Sequence, residues 1–171
     1  SEDDLAVLGN PIPDMTLGFN LNMDYKGIDF AASLYASVGN KAVRSYERFL
    51  TYSNKSRLYL DRWTGEGTSN TTPRASTNAS NNYLFSDFFV EDASFLRIQN
   101  VQVGYSIPSS TLEKIKMDKV RLYVAANNLY TFTKYSGYNP DVSNANPAAA
   151  GVDLGQYPQT RTYTLGINVS F

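Results

Sequence analysis

Cysteine and histidine are both absent from these 171 residues. Without cysteine there is no disulfide, no thiolate metal site and no cysteine nucleophile. Without histidine the commonest general base and the commonest metal ligand are gone. A basic excess is lacking too. Fifteen Lys and Arg stand against 16 Asp and Glu, a net charge of −1, and the pI is about 5.4, so nothing in the charge points to nucleic acid. No stretch approaches the roughly 18 apolar residues of a spanning helix, and mean hydropathy is −0.35. That excludes a helical membrane protein. It leaves a β-barrel open, because barrel strands are apolar only at every second position. Glycine-rich phosphate loops, nucleophile elbows and metal-ligand spacings are missing. Asp87, Glu91 and Asp92 are neighbouring carboxylates without the fixed separation and split pKa values of a hydrolytic pair. The expectation is therefore no enzyme and no cofactor.

What is present is alternation. In the last stretch, Tyr163, Leu165, Ile167, Val169 and Phe171 alternate with Thr162, Thr164, Gly166, Asn168 and Ser170. Successive strand side chains point to opposite faces, so one face is oily and the other wet. An outer-membrane barrel strand, with lipid on one side and a polar lumen on the other, has this pattern. So does the edge strand of a soluble sandwich. From Met15 to Tyr25 the apolar set is odd, and from Ile28 to Val38 it is even. Asp24-Tyr25-Lys26-Gly27 supplies a tight turn between them, which makes a hairpin.

Residues 40–91 read as a long loop, with a short helix expected near Val43 to Leu50; loops this long are usually functional. Strands resume at Ala93. Leu96 and Ile98 have the opposite parity to Val101, Val103 and Tyr105, so a bulge is expected near Gln99 or Asn100. Pro108 ends that strand, and Ser109 is placed to cap a helix from Ser110 to Lys116. Val120 to Ala126 form the next strand, and residues 131–158 a second loop. About five strands of roughly 10 to 13 residues result, long enough to cross a membrane when tilted. Short and long connections fall at opposite ends. Outer-membrane barrels have that asymmetry, and a sandwich has no reason for it.

Specific residues carry a resemblance. Ser94-Phe95-Leu96-Arg97-Ile98-Gln99-Asn100-Val101-Gln102-Val103-Gly104-Tyr105-Ser106-Ile107-Pro108 and the run from Val120 through Asn127-Asn128-Leu129-Tyr130 to Asn139-Pro140 are two such blocks. Gly9-Asn10-Pro11-Ile12-Pro13, Asp61-Arg62-Trp63-Thr64 with Pro73-Arg74, and Tyr157-Pro158-Gln159-Thr160-Arg161 are others. In their order along the chain they resemble the region near the end of SusC/RagA-type TonB-dependent transporters. The resemblance implies an all-β chain: an antiparallel transmembrane β-barrel segment, residues 1–171, with about five C-terminal strands of a 22-stranded barrel and long extracellular loops at 40–91 and 131–158. It implies a nutrient importer for glycan or peptide oligomers. Its partners would be a SusD-like surface lipoprotein, TonB acting through an N-terminal region outside these residues, the barrel-assembly machinery and membrane lipid, with no nucleic acid. The location implied is the outer membrane of a Gram-negative, Bacteroidetes-like cell.

Ser1-Glu2-Asp3-Asp4 has neither the charge nor the apolar run of a secretory leader, so a removed leader or a longer parent chain is expected. Candidate ligand residues are Arg62 and Trp63 on the first loop and Tyr135, Tyr138, Asn139 and Asp141 on the second. Each has a plain loop-packing alternative. Phe171 is expected to act as an assembly signal or an interfacial anchor. Leu17, Phe19, Leu21, Phe30, Leu34, Val103, Leu122, Val124, Leu165, Ile167 and Val169 should face lipid. Thr16, Asn20, Asn22, Ser33, Arg121, Thr164 and Asn168 should face the lumen. The competing reading is a soluble, secreted β-sandwich that binds glycans, which would pack Leu165 and Val169 under a second sheet.

Overall fold

The computed structural model describes residues 5–46, 57–75, 84–113, 116–142, 144 and 146–171. Among the described residues, eight strands form two sheets. The strands are β1 (Met15–Tyr25), β2 (Ile28–Val38), β3 (Lys41–Arg44), β4 (Val90–Asp92), β5 (Phe95–Ser106), β6 (Lys119–Thr133), β7 (Val152–Asp153) and β8 (Thr162–Ser170). The large sheet runs β1-β2-β5-β6-β8, antiparallel throughout, and the small one runs β4-β3-β7. Among the described residues, no helix is long and apolar enough to cross a membrane.

The first hairpin folds as the alternation requires. Lys26 and Gly27 both take positive φ, 47° and 83°, the geometry of a two-residue primed turn whose twist matches the strands. The turn reverses parity, so Leu17, Phe19 and Leu21 meet Ala36, Leu34 and Ala32 on one face. The expected bulge is present. β2 and β5 shift register at Ser33/Leu34, and Ile98 pairs Leu34 while Asn100 pairs Ser33. That extra residue, Gln99, brings Leu96 and Ile98 onto the face of Val101, Val103 and Tyr105. β6 answers with an irregularity of its own, where Asn128 takes φ 51°, a conformation Asn tolerates.

All five long strands therefore present one apolar face, and in β5 and β6 it is the more exposed one. Leu165 is 82% exposed, Phe19 58% and Val124 54%. The opposite face carries Thr, Asn, Gln and Arg and is the more crowded one in β5 and β6: Arg97 is 3% exposed where its neighbour Leu96 is 39%. This inverts the order of a water-soluble sheet. Tyr25 and Tyr105 sit at the turn end of the apolar face, and Tyr130, Phe132 and Tyr163 toward the loop end. Aromatics flanking an aliphatic band are the girdles of a membrane barrel. Eleven residues of β1 span about 36 Å, or about 26 Å when tilted by about 45°, which matches the about 25 Å apolar band. A sandwich would need a sheet over Leu165 and Val169, and these are exposed.

Three expectations need correction. The 40–91 segment is not all loop, since Lys41–Arg44 and Val90–Asp92 pair as strands. Val43 and Arg44 therefore lie in a strand instead of the expected helix near Val43 to Leu50, and residues 47–50 lie outside the described residues. Of the helix expected at Ser110 to Lys116, capped by Ser109, Ser109–Leu112 is helical with Pro108 at its N-cap and no side-chain cap bond, and residues 114 and 115 lie outside the described residues. The second loop begins at Lys134, because β6 continues through Thr133, and Val152–Asp153 adds a parallel strand beside β3.

Candidate functional site

Two surfaces have the chemistry to meet a solute: the polar face of the large sheet and the loop end above it. On the polar face, Arg121 reaches from β6 across β5 to Asp29 on β2. Its Nε donates to Oδ1 at 2.8 Å and its Nη2 to Oδ2 at 2.5 Å, a two-pronged pairing that fixes geometry as well as charge. Gly104 lies beneath. A Cβ there would stand 2.4 Å from Asp29 Oδ1 and 2.5 Å from Arg121 Nη2, so a side chain at this position would push the pair aside. The guanidinium also lies over the Tyr123 ring, 5.0 Å from its centroid, and that ring covers Gly166. Further along, one row of paired positions crosses all five strands: Asn20, Ser33, Asn100, Asn127 and Thr162. Ser33 Oγ donates to Asn20 Oδ1 at 2.7 Å and Asn100 Nδ2 to Asn127 Oδ1 at 2.8 Å. The wall is thus neutral and hydrogen-bonding along this row, with the Arg121–Asp29 pair below it.

At the loop end, buried polar groups tie the loops to the sheet. Arg97 donates from Nε to Thr131 Oγ1 (3.1 Å), from Nη1 to Asp141 Oδ2 (3.2 Å) and from Nη2 to Asn139 Oδ1 (2.9 Å). It also lies over the Phe95 ring. Arg44, 3% exposed, pairs with Glu91 at 2.5 Å. Glu91 in turn accepts from the Ser136 amide and hydroxyl at 2.8 and 2.7 Å. Asp153, 2% exposed, accepts from the Tyr135 hydroxyl at 2.7 Å and from the Gly155 and Gln156 amides. Three donors thus reach this buried carboxylate. Burial and the Asp153 carboxylate push the Tyr135 phenol well above its ordinary range. Ala42, Ala93 and Tyr135 pack as the small core of this collar. Asp92, held by Ser94 and Lys41, keeps its carboxyl below the usual range.

The expected ligand residues separate into two groups. Tyr135 and Asn139 are 5% and 9% exposed, and Asp141 pairs with Arg97. These three hold the collar together, and Tyr135 and Asn139 are buried within it. Tyr138 is 73% exposed and remains available. Arg62 donates from Nη1 to the Tyr59 carbonyl at 3.0 Å, so it serves its own turn. Trp63 is 37% exposed and lines a groove of about 450 Å³ with residues 69–74, Ser86 and Phe88. Phe171 follows β8 and is 85% exposed. Sequence reasoning missed Arg97, Arg44 and Asp153. Charged residues at strand positions that break no alternation were the only signal. Among the described residues, no cluster of three or more acidic side chains is able to hold a metal.

No protein-family model matches the chain. Two curated TonB-dependent receptors of Formosa agariphila are 33% and 31% identical to it over 179 and 183 residues, covering 100% of this chain and 18% of each relative. TonB-dependent receptor SusC of Bacteroides thetaiotaomicron is 31% identical over 173 residues, covering 98% of this chain and 16% of that one. Among solved structures, the RagAB peptide transporter superposes with a TM-score of 0.76 and the RagAB peptide importer in its open-open state with 0.74. Both are 29% identical over 95% of this chain and 18% of theirs. The chain spans less than a fifth of the length of these relatives.

Proposed function

The chain belongs to the SusC/RagA-type TonB-dependent receptors of the outer membrane, and from that membership we propose that it supplies wall strands and outer loops to a nutrient importer. The apolar face of β1, β2, β5, β6 and β8 meets lipid and the polar face lines the lumen. The Lys26–Gly27 end faces the periplasm, and the collar around Arg97, Arg44 and Asp153 faces outward. A SusD-like surface lipoprotein closes over that outer side. TonB drives transport through parts of the receptor other than this chain. The barrel-assembly machinery inserts the wall, with Phe171 as an aromatic it reads. The cargo is an oligosaccharide or a peptide, held without chemical change.

The observation that carries this reading is the inversion of the sheet. Leu165, Ile167 and Val124 are exposed while the opposite face keeps Arg97 and Arg121 in ordered pairs. Lipid outside and water inside explain both at once.

The test uses the full-length receptor in a cysteine-free background. Leu165→Cys and Val124→Cys are compared with Asn20→Cys and Asn168→Cys in intact outer membranes, using a membrane-impermeant maleimide. Labelling of Asn20→Cys and Asn168→Cys alone is expected, and equal labelling of all four would overturn the wall assignment. Import is tested separately. Deleting the gene should abolish TonB-dependent uptake of labelled oligosaccharides or oligopeptides by the cells, and unchanged uptake would refute it.

A further inference from the structure

We propose that the outer end of the apolar face holds a lipid site for a phosphorylated, multiply acylated glycolipid of the outer leaflet. An acyl chain would lie in a hollow over Ala36, with the headgroup phosphates on Lys134 and Arg161. The proposal rests on the reading above that this face meets lipid and that the collar end points outward. It concerns the lipid around the wall, apart from the cargo.

The hollow follows from one small residue. Leu17, Ala36, Leu96 and Phe132 form a row across β1, β2, β5 and β6. Ala36 is buried while the other three are exposed, so the row sinks between Leu17 and Leu96. Tyr130 stands beside Phe132, their rings edge to face with centroids 4.7 Å apart. The space has a volume of about 780 Å³, and these five residues and Lys134 are among its lining. It is continuous with the lipid-facing side of the wall, where only an apolar chain fills a hollow without loss of hydrogen bonds. Its mouth is fixed. Thr133 Oγ1 donates to the Ser94 carbonyl at 2.9 Å, which ties the end of β6 to the start of β5. Asp92, the carboxylate at the mouth, accepts from the Ser94 amide at 2.8 Å and pairs with Lys41 at 3.4 Å.

The cations select the headgroup. Lys134 is exposed and follows the last residue of β6. Arg161 is exposed and holds its guanidinium over the Tyr130 ring, 5.7 Å from the centroid. Among the described residues, neither cation pairs with a carboxylate. Four residues of strand separate Tyr130 from Lys134, so the two charges mark points about 13 Å apart. Cations on the rim of a lipid face reach headgroup phosphates, Arg through its planar fork and Lys as a point charge. Phosphatidylethanolamine brings an ammonium with every phosphate, and these two cations repel it. A glycolipid with phosphates on a sugar backbone brings negative charge alone. Its several acyl chains also suit a row four strands wide, about 14 Å.

The test is native mass spectrometry of the full-length receptor, stripped of lipid in detergent. It is titrated with diphosphoryl lipid A, with the same lipid after removal of its phosphates, and with phosphatidylethanolamine. Diphosphoryl lipid A should bind about tenfold tighter than either of the others, or more. Lys134→Gln and Arg161→Gln should each weaken it about fivefold, and the double variant should lose the preference. Lys26→Gln, at the opposite end of the wall, should leave it unchanged. In the wild type, a lipid A analogue with a photoactivatable diazirine in one acyl chain should crosslink at Leu17, Leu96 or Phe132. Unchanged lipid A affinity in the double variant, an equal loss in Lys26→Gln, equal binding of the three lipids, or no lipid binding would overturn the headgroup site. Crosslinks confined to other parts of the receptor would overturn the acyl seat. None of these results touches the assignment of faces, which fails only on the maleimide labelling.

Discussion

Replacing Val124 with Arg puts the lipid assignment under the greatest strain. Val124 is 54% exposed, between Val103 on β5 and Leu165 on β8. Five residues separate it from Lys119 at the turn end of β6. That is about 16 Å along the strand and about 12 Å of depth at a tilt of about 45°. Half of the about 25 Å apolar band is also about 12 Å, so Val124 lies near the bilayer midplane. An Arg side chain of about 7 Å cannot bring its charge to either interface from there. The expected cost is about 2–4 kcal/mol, or roughly 30- to 900-fold in the folded ratio. Thr164→Arg is the control, because Thr164 faces Ala125 on the polar side of the neighbouring strand and its charge would meet water. Full-length receptor refolded into phosphatidylcholine vesicles and titrated with urea, read by heat-modifiable mobility, gives both numbers. Equal costs for the two variants, or a Val124→Arg cost under about 0.5 kcal/mol, would refute the assignment of faces.

Three further outcomes follow from the polar contacts. Arg97→Met strands Asn139 and Asp141, and should destabilise the 135–141 segment by about 2–3 kcal/mol, less than a fully buried pair because Asp141 is half exposed; hydrogen exchange of those amides measures it, and unchanged protection would count against the latch. Tyr135→Phe removes a hydrogen bond to a carboxylate and should cost about 1.5–3 kcal/mol. Because the folded phenol titrates above its unfolded value of about 10, the unfolded chain loses its proton first; wild-type stability should be level in Tyr135 below about pH 10 and fall above it, and a urea series in Tyr135→Phe should lack that fall. Gly104→Ala should force Asp29 and Arg121 apart and lower urea stability in the wild type, yet cost much less in an Arg121→Ala background; equal costs in both would show that the glycine serves something other than the ion pair.

Much of the wall was legible because its determinants are local. Met15–Tyr25 and Ile28–Val38 emerged at their true bounds, since alternation and the Lys26–Gly27 turn lie within neighbouring residues. The bulge at Gln99 was legible from a parity break alone. The collar was not. β3, β4 and β7 are 2 to 4 residues long, too short to show any period. Arg97 finds Asp141 44 residues away and Ser136 finds Glu91 45 away, so no local pattern announces either pair. The burial of Tyr135 and Asn139 was not legible either, because an exposed Tyr and a buried one look alike in sequence. The difference is the carboxylate of Asp153, which the fold alone brings near.

Alternation by itself could not separate a barrel wall from a sandwich edge, because both demand one apolar face. The two differ in what the polar face must do. In a sandwich that face meets bulk water, and its side chains have no need of one another. Here Arg121 crosses β5 to reach Asp29 over Gly104 and lies on Tyr123, whose ring in turn covers Gly166. Long polar side chains lie flat on glycines and satisfy each other, while Leu165 stands exposed on the reverse. A sheet organised in this way has its ordered side turned toward a confined aqueous space and its apolar side toward a solvent that makes no hydrogen bonds. That distribution of order, more than the hydrophobic pattern, identifies which face is the lumen.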